Sequence, residues 1–168
     1  MKLIAVLFSI TLFLQSCTYA ISPDMANRAD KTIPFEKLQA DPVSIKGKLV
    51  IFGGTIAQIT SLKQGTLIEV SQKPLDYWGQ PERTKRTGGR FLVFHMGYLN
   101  TMAYAPGNDI TIAGEVLGTG SPMIGDTQYD SPVILAKEIK LWGRAPQARD
   151  KPRWMDPLYD PADSARPE

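Results

Sequence analysis

Lys48-Leu49-Val50-Ile51-Phe52-Gly53-Gly54-Thr55-Ile56-Ala57-Gln58-Ile59-Thr60 is the run on which the fold turns. It is rich in β-branched and apolar residues, which suits a pleated, half-buried strand, and two adjacent glycines interrupt it. Glycine inside a strand marks a bulge or a sharp bend. Gly53-Gly54 therefore reads in two ways: as a bend that lets one long strand serve both halves of a barrel, or as a turn that splits the run in two. The bend is the preferred reading.

Working outward, Ser61 to Gly65 reads as a polar five-residue hairpin loop leading into a second strand, Thr66 to Ser71. Arg90-Phe91-Leu92-Val93-Phe94-His95 is a third strand. Asp109 to Leu117 is a fourth, with Ile110 and Ile112 on one face and Thr111 on the other. Ser131 to Trp142 is the fifth. There Val133, Leu135, Ile139 and Leu141 share parity while Glu138 and Lys140 face the other way, the period-2 pattern of a half-buried strand. Lys137 breaks the buried parity and is expected near an edge. Leu99 to Ala105 has room for a helical turn before Pro106-Gly107-Asn108. Five strands with a small helical element between the third and fourth predict an all-β fold, a single OB-like Greek-key barrel over residues 47–142.

The flanks differ in character. Residues 143–168 carry Pro146, Pro152, Pro157, Pro161 and Pro167, a spacing that prevents regular structure and predicts a disordered tail or a loosely docked extension. Trp154, Leu158 and Tyr159 are the tail residues able to touch the barrel. Residues 17–46 read as a flexible tether and entry segment, with a short helix at Pro34 to Leu38 that sets Phe35 and Leu38 on one face.

Residues 1–16 read as a leader. Lys2 precedes an uncharged run from Leu3 to Leu14, the length of a signal-peptide hydrophobic region and short of the roughly 20 apolar residues that span a bilayer. Leu14-Gln15-Ser16-Cys17 then resembles the bacterial lipobox, with Gln15 where a small residue is more usual. The resemblance implies cleavage before Cys17 and acylation of that cysteine by a thioether-linked diacylglycerol and an N-acyl chain such as palmitate. Thr18, rather than Asp, follows the cysteine, which implies the outer membrane in an organism that has one. Three other readings stay open: an uncleaved signal anchor, ordinary cleavage after Ala20 at Thr18-Tyr19-Ala20, and a buried core strand.

From Cys17 to Trp142 the chain resembles the Slp family of Gram-negative outer-membrane lipoproteins, named for starvation-inducible members. The resemblance is carried by the lipobox; by Val50 to Ile56; by Leu67-Ile68-Glu69-Val70 followed by Pro74-Leu75-Asp76; by Arg90-Phe91; by Gly97-Tyr98-Leu99; by Asp109 to Glu115; and by Tyr129 leading to Leu141-Trp142. It implies an outer-membrane lipoprotein induced by stress or in stationary phase; the barrel is expected to face the periplasm. It implies no agreed biochemical activity, so no catalytic residue is carried over.

Composition narrows the function further. Without the leader about 150 residues remain, enough for one core. The 19 basic and 17 acidic side chains leave a formal charge of +2, which gives no global electrostatic case for nucleic acid. Cys17 is the only cysteine and His95 the only histidine, so the chain holds no Cys/His metal set and no disulfide of its own. A Ser-His-Asp triad would have to use His95, and no nucleophile motif accompanies it. No phosphate-binding loop is present, and no cofactor is expected.

The sharpest local charge feature is Glu82 to Arg90, which follows Tyr77-Trp78 and contains Arg83, Lys85, Arg86 and Arg90. It reads as an exposed loop, as a contact for anionic lipid headgroups, or as a single-strand nucleic-acid groove. An extracytoplasmic compartment weighs against the last. Two function classes stay open: a lipid-tethered, non-catalytic envelope module that binds a partner or the surface around it, and a periplasmic enzyme or small-ligand binder using a barrel cleft. A deep pocket of convergent polar groups would favour the second. A filled barrel with an exposed aromatic patch near Tyr77 and Trp78 would favour the first.

Overall fold

In the computed structural model, which describes residues 19–84, 86–119 and 131–144, the deciding run forms one continuous strand, β1, from Leu49 to Leu62. Its glycines bend it rather than end it. Gly53 to Leu62 pairs with β2 (Gly65–Lys73), and Leu49 to Thr55 pairs with β4 (Asn108–Thr119), so Gly53, Gly54 and Thr55 are paired on both sides. Close approach explains the residue choice. A Cβ on Gly54 would fall on the Ser71 carbonyl, and one on Gly53 would sit 2.8 Å from the Ile110 carbonyl oxygen.

β3 (Arg90–His95) pairs antiparallel with β2 and parallel with β5 (Pro132–Arg144), and β5 returns antiparallel to β4. The barrel closes in the order β1-β2-β3-β5-β4. This is the all-β, OB-like Greek-key arrangement expected from the sequence.

Three expectations are revised. Leu62 pairs with Gly65, so the hairpin turn is two residues, Lys63-Gln64, because Ser61 and Leu62 extend the ladder. In β5 the single parity fails. Val133 and Leu135 join a cluster with Leu67, Leu92 and Phe94, whereas Ile134 and Ala136 enter the main core. Lys137 is the extra residue of a β-bulge between the Gly114–Ala136 and Ala113–Glu138 pairs, and beyond it Ile139 and Leu141 turn inward. Lys137 breaks parity because it is bulged in mid-strand, not because it lies at an edge. The same device acts in β1, where Ala57 is the bulge between Ile56 and Gln58.

The third revision concerns 17–46. From Tyr19 onward this segment is docked, not a free tether. Helix α1 (Pro23–Arg28) lies in its first part and helix α2 (Phe35–Ala40) in its second. Phe35 and Leu38 share a face as expected, and that face is buried. Phe35 meets Phe52 and Phe91 edge-on at ring-centroid distances of 5.3 and 5.6 Å. Ile33, Leu38 and Ile45 belong to the same core as the strands. Gln39 Nε2 donates to the Arg90 carbonyl at 2.5 Å, which ties α2 to the start of β3. The connector after β3 holds one helical turn, with Tyr104 N–H donating to the Asn100 carbonyl at 3.0 Å. Leu99 and Tyr104 from this connector pack against the core.

Candidate functional site

The N-terminal segment meets the barrel on its outer wall. Ala20 and Ile21 pack with Ala113 of β4, and Met25, Ile51 and Trp142 complete the cluster. The Ser22 N–H and hydroxyl donate to the two carboxylate oxygens of Glu138 at 2.9 and 2.8 Å. Facing this segment is a small hairpin from the β2–β3 connection, closed by a bridge between Leu75 and Pro81. Asp76 Oδ1 accepts from the N–H groups of Trp78 and Gln80 at 2.9 and 2.8 Å, which holds the hairpin tip.

Between segment and hairpin lies a cleft of about 410 Å³ with Ile51 and Thr111 among the residues of its wall. The side chains of Thr111, Asp30 and Asp76 in its lining are bonded within the walls. Thr111 Oγ1 donates to the Gly79 carbonyl and accepts from Trp142 Nε1, at 2.5 and 2.9 Å. Asp30 accepts from the hydroxyl and N–H of Thr32 at 2.6 and 3.1 Å, and Lys48 lies 3.8 Å away. The Thr32 hydroxyl bond, then the Thr32 N–H bond, holds the Asp30 carboxyl below the usual carboxylate range, with smaller help from Lys48 and Lys37.

At the mouth of the cleft stand three exposed rings. Tyr19 is 55 %, Tyr77 82 % and Trp78 51 % exposed. Trp78 lies 6.4 Å from Tyr19 and 5.1 Å from Tyr77 between ring centroids. Tyr77-Trp78 was legible in the sequence as an aromatic pair; Tyr19 was not, because it joins them only once Ala20 and Ile21 are docked. The signal available was the apolar Ala20-Ile21 pair just past Thr18-Tyr19, which follow the lipobox.

The basic stretch occupies the return limb of the same connection. Its backbone runs beside the end of β2, with Glu82 N–H on the Pro74 carbonyl and Gly88 N–H on Gln72 Oε1. Arg83 and Arg86 are exposed. Arg90 is not part of a free cluster: its guanidinium donates to Glu69 Oε1 at 2.6 Å across the β2–β3 pair. Lys85, Cys17 and the tail residues from 145 onward lie outside the described residues. His95 ends β3 half-buried, its Nδ1 3.4 Å from the Gly97 carbonyl oxygen. A second polar cluster lies elsewhere in the wall, where buried Asp109 accepts from Thr55 Oγ1 at 2.6 Å and faces Lys73 Nζ at 3.5 Å.

A filled, closed five-stranded barrel with its N-terminal segment docked against it defines a small all-β, OB-like domain. The chain belongs to the outer membrane lipoprotein Slp family, whose profile matches residues 14–166. It is 26 % identical over 140 residues to the outer membrane protein Slp of Escherichia coli (strain K12), covering 82 % of this chain and 73 % of that one. It is 24 % identical over 123 residues to the lipoprotein YeaY of the same organism, covering 73 % of this chain and 63 % of that one. Among solved structures it is similar to an OBody, AM3L15, bound to hen egg-white lysozyme, at 19 % identity and a TM-score of 0.41 over 70 % of this chain and 99 % of that one. It is also similar to the mitochondrial single-stranded DNA binding protein Rim1 of S. cerevisiae, at 11 % identity and a TM-score of 0.37 over 60 % and 99 %.

Proposed function

We propose that this protein is a lipid-anchored, non-catalytic envelope module, acylated on Cys17, with its barrel on the periplasmic side of the outer membrane and a structural, stress-related or partner-binding role. The observation that carries the anchoring is the burial of Ala20 and Ile21, at 7 and 5 % exposure, two residues beyond the lipobox-like Leu14-Gln15-Ser16-Cys17, with Thr18 and Tyr19 between. Ordinary cleavage after Ala20 would remove Ala20 from this apolar cluster and leave its partner Ile21 as the new N-terminus. Cleavage before Cys17 leaves that cluster whole. Several acyl chains then make release slow, because each buried CH₂ contributes about 0.8 kcal/mol.

A non-catalytic role is supported by the cleft, whose Thr111, Asp30 and Asp76 side chains hold its walls in place. Replacing Cys17 by Ser and fractionating cells tests the anchor: the protein moves from the membrane to the soluble fraction, and unchanged membrane retention refutes it.

Arg83, Lys85 and Arg86 add an anionic-surface contact to this reading, on the strength of two exposed guanidiniums on one limb. Changing all three to Ser lowers binding to anionic vesicles; equal binding by wild type and variant removes that contact. Small-ligand binding is the second reading, favoured by the cleft volume, which falls within the roughly 300–1,000 Å³ of ligand pockets. A fluorescence titration with apolar small molecules separates the two, since a saturable response lost on filling the cleft by Ala29→Phe belongs to the binder alone.

A further inference from the structure

We propose that Tyr19, Tyr77 and Trp78 form a membrane-interface seat that rests the barrel on the lipid headgroups of the leaflet holding the Cys17 acyl chains. The inference depends on the acylation of Cys17 proposed above and adds to it an orientation.

An extended residue spans at most about 3.6 Å, so the Tyr19 Cα lies within about 7 Å of the Cys17 Cα. The headgroup layer on each side of a bilayer is about 5–8 Å deep, half the difference between the full thickness and the hydrocarbon core. Covalent geometry alone therefore brings Tyr19 to the headgroups once Cys17 is acylated.

The chain has no slack beyond Tyr19. Ala20 and Ile21 are buried against the barrel, and Ser22 is bonded twice to Glu138. A long tether would let the domain swing away from the bilayer. Here the docked segment makes the barrel follow Tyr19, and the face carrying Tyr19 is the one turned toward the lipid.

On that face Tyr19, Trp78 and Tyr77 form a contiguous row of exposed rings, each with an apolar body and one polar group. Tyr and Trp are the residues enriched at the membrane–water interface, where one end of the side chain is wet and the other apolar. The hairpin that presents Tyr77 and Trp78 is pinned by the Leu75–Pro81 bridge and by Asp76, whose Oδ1 accepts two N–H groups of its own loop. The rings are thus held at the surface before any lipid is met. A protein partner could also cover three aromatic rings, but only a bilayer is brought to them by the chain itself.

The test uses the mature protein extracted from membranes in detergent and reconstituted in vesicles of phosphatidylcholine brominated near the glycerol end of its chains. Bromine quenches tryptophan at short range. The chain has three tryptophans, so both proteins compared carry Trp154→Phe; Trp142 is half-buried on the barrel wall, and Trp78→Phe, a change at an exposed ring, isolates the contribution of Trp78. The expected result is quenching of the protein that keeps Trp78 and loss of the larger part of that quenching in the Trp78→Phe variant. Flotation with equal quenching of both proteins overturns the seat while leaving the anchor intact. A blue shift of Trp78 emission that appears only with added periplasmic protein, and is insensitive to bromine, assigns the rings to a partner and also overturns it. Failure to float with the vesicles overturns the acylation reading, and the seat falls with it.

Discussion

Gly54 has Ser71 of β2 on one side and Ile110 of β4 on the other, and it has no room for a side chain. That contact, rather than a left-handed backbone, makes glycine necessary there. Gly54→Ala has to push β1 and β2 apart, so it is expected to destabilise the fold by about 3 kcal/mol, read as a lowered urea midpoint with an unchanged slope. The requirement was legible from sequence as a bend, because a glycine pair inside an otherwise β-branched run has few other uses. Asp109 was less legible. It reads as a strand-starting turn residue, and only the folded barrel brings Thr55 and Lys73 to it from two other strands. Arg90 was misleading in the opposite sense: it reads as part of a basic loop because Glu69, which pairs with it, lies on a different strand.

Bulges set the limits of what periodicity could reveal. The strands were placed to within a few residues, since alternation and β-branched content are local properties. Which face each residue takes depends on where a bulge resets the count, and a bulge is defined by the partner strand. Lys137 was visible as a break in parity, yet its meaning needed the pairing of Gly114 with Ala136 and of Ala113 with Glu138. Its side chain is exposed and reaches Glu115 at 3.6 Å. Lys137→Ala is therefore expected to cost no more than about 0.5 kcal/mol. Deleting Lys137 removes the parity switch and turns Ile139 and Leu141 away from the core, so the deletion variant is expected to lose its cooperative unfolding transition. Comparing the two by thermal melting checks the assignment; similar melting temperatures would show that the bulge is dispensable. The docking of Tyr19 to Ile45 was missed at the same scale. Its helices were partly legible, but their apolar faces are too short to announce which surface they cover.

The whole molecule joins two kinds of information that meet at Tyr19. The lipobox-like sequence gives an address that needs no fold to be read. The barrel gives a rigid body with its N-terminal segment fastened along one wall. Family membership supports the outer membrane as the destination, while the molecular role there was not legible because binding surfaces carry no periodic signature. Together, address and fold predict a domain held close to its membrane rather than one on a long leash. The central claim is that maturation occurs before Cys17 and that this cysteine is acylated. Intact mass spectrometry of the protein extracted from membranes in detergent tests it directly. The account predicts a polypeptide that begins at Cys17 and carries the added mass of a diacylglycerol thioether and an N-acyl chain. An unmodified polypeptide beginning at Ile21 would contradict it.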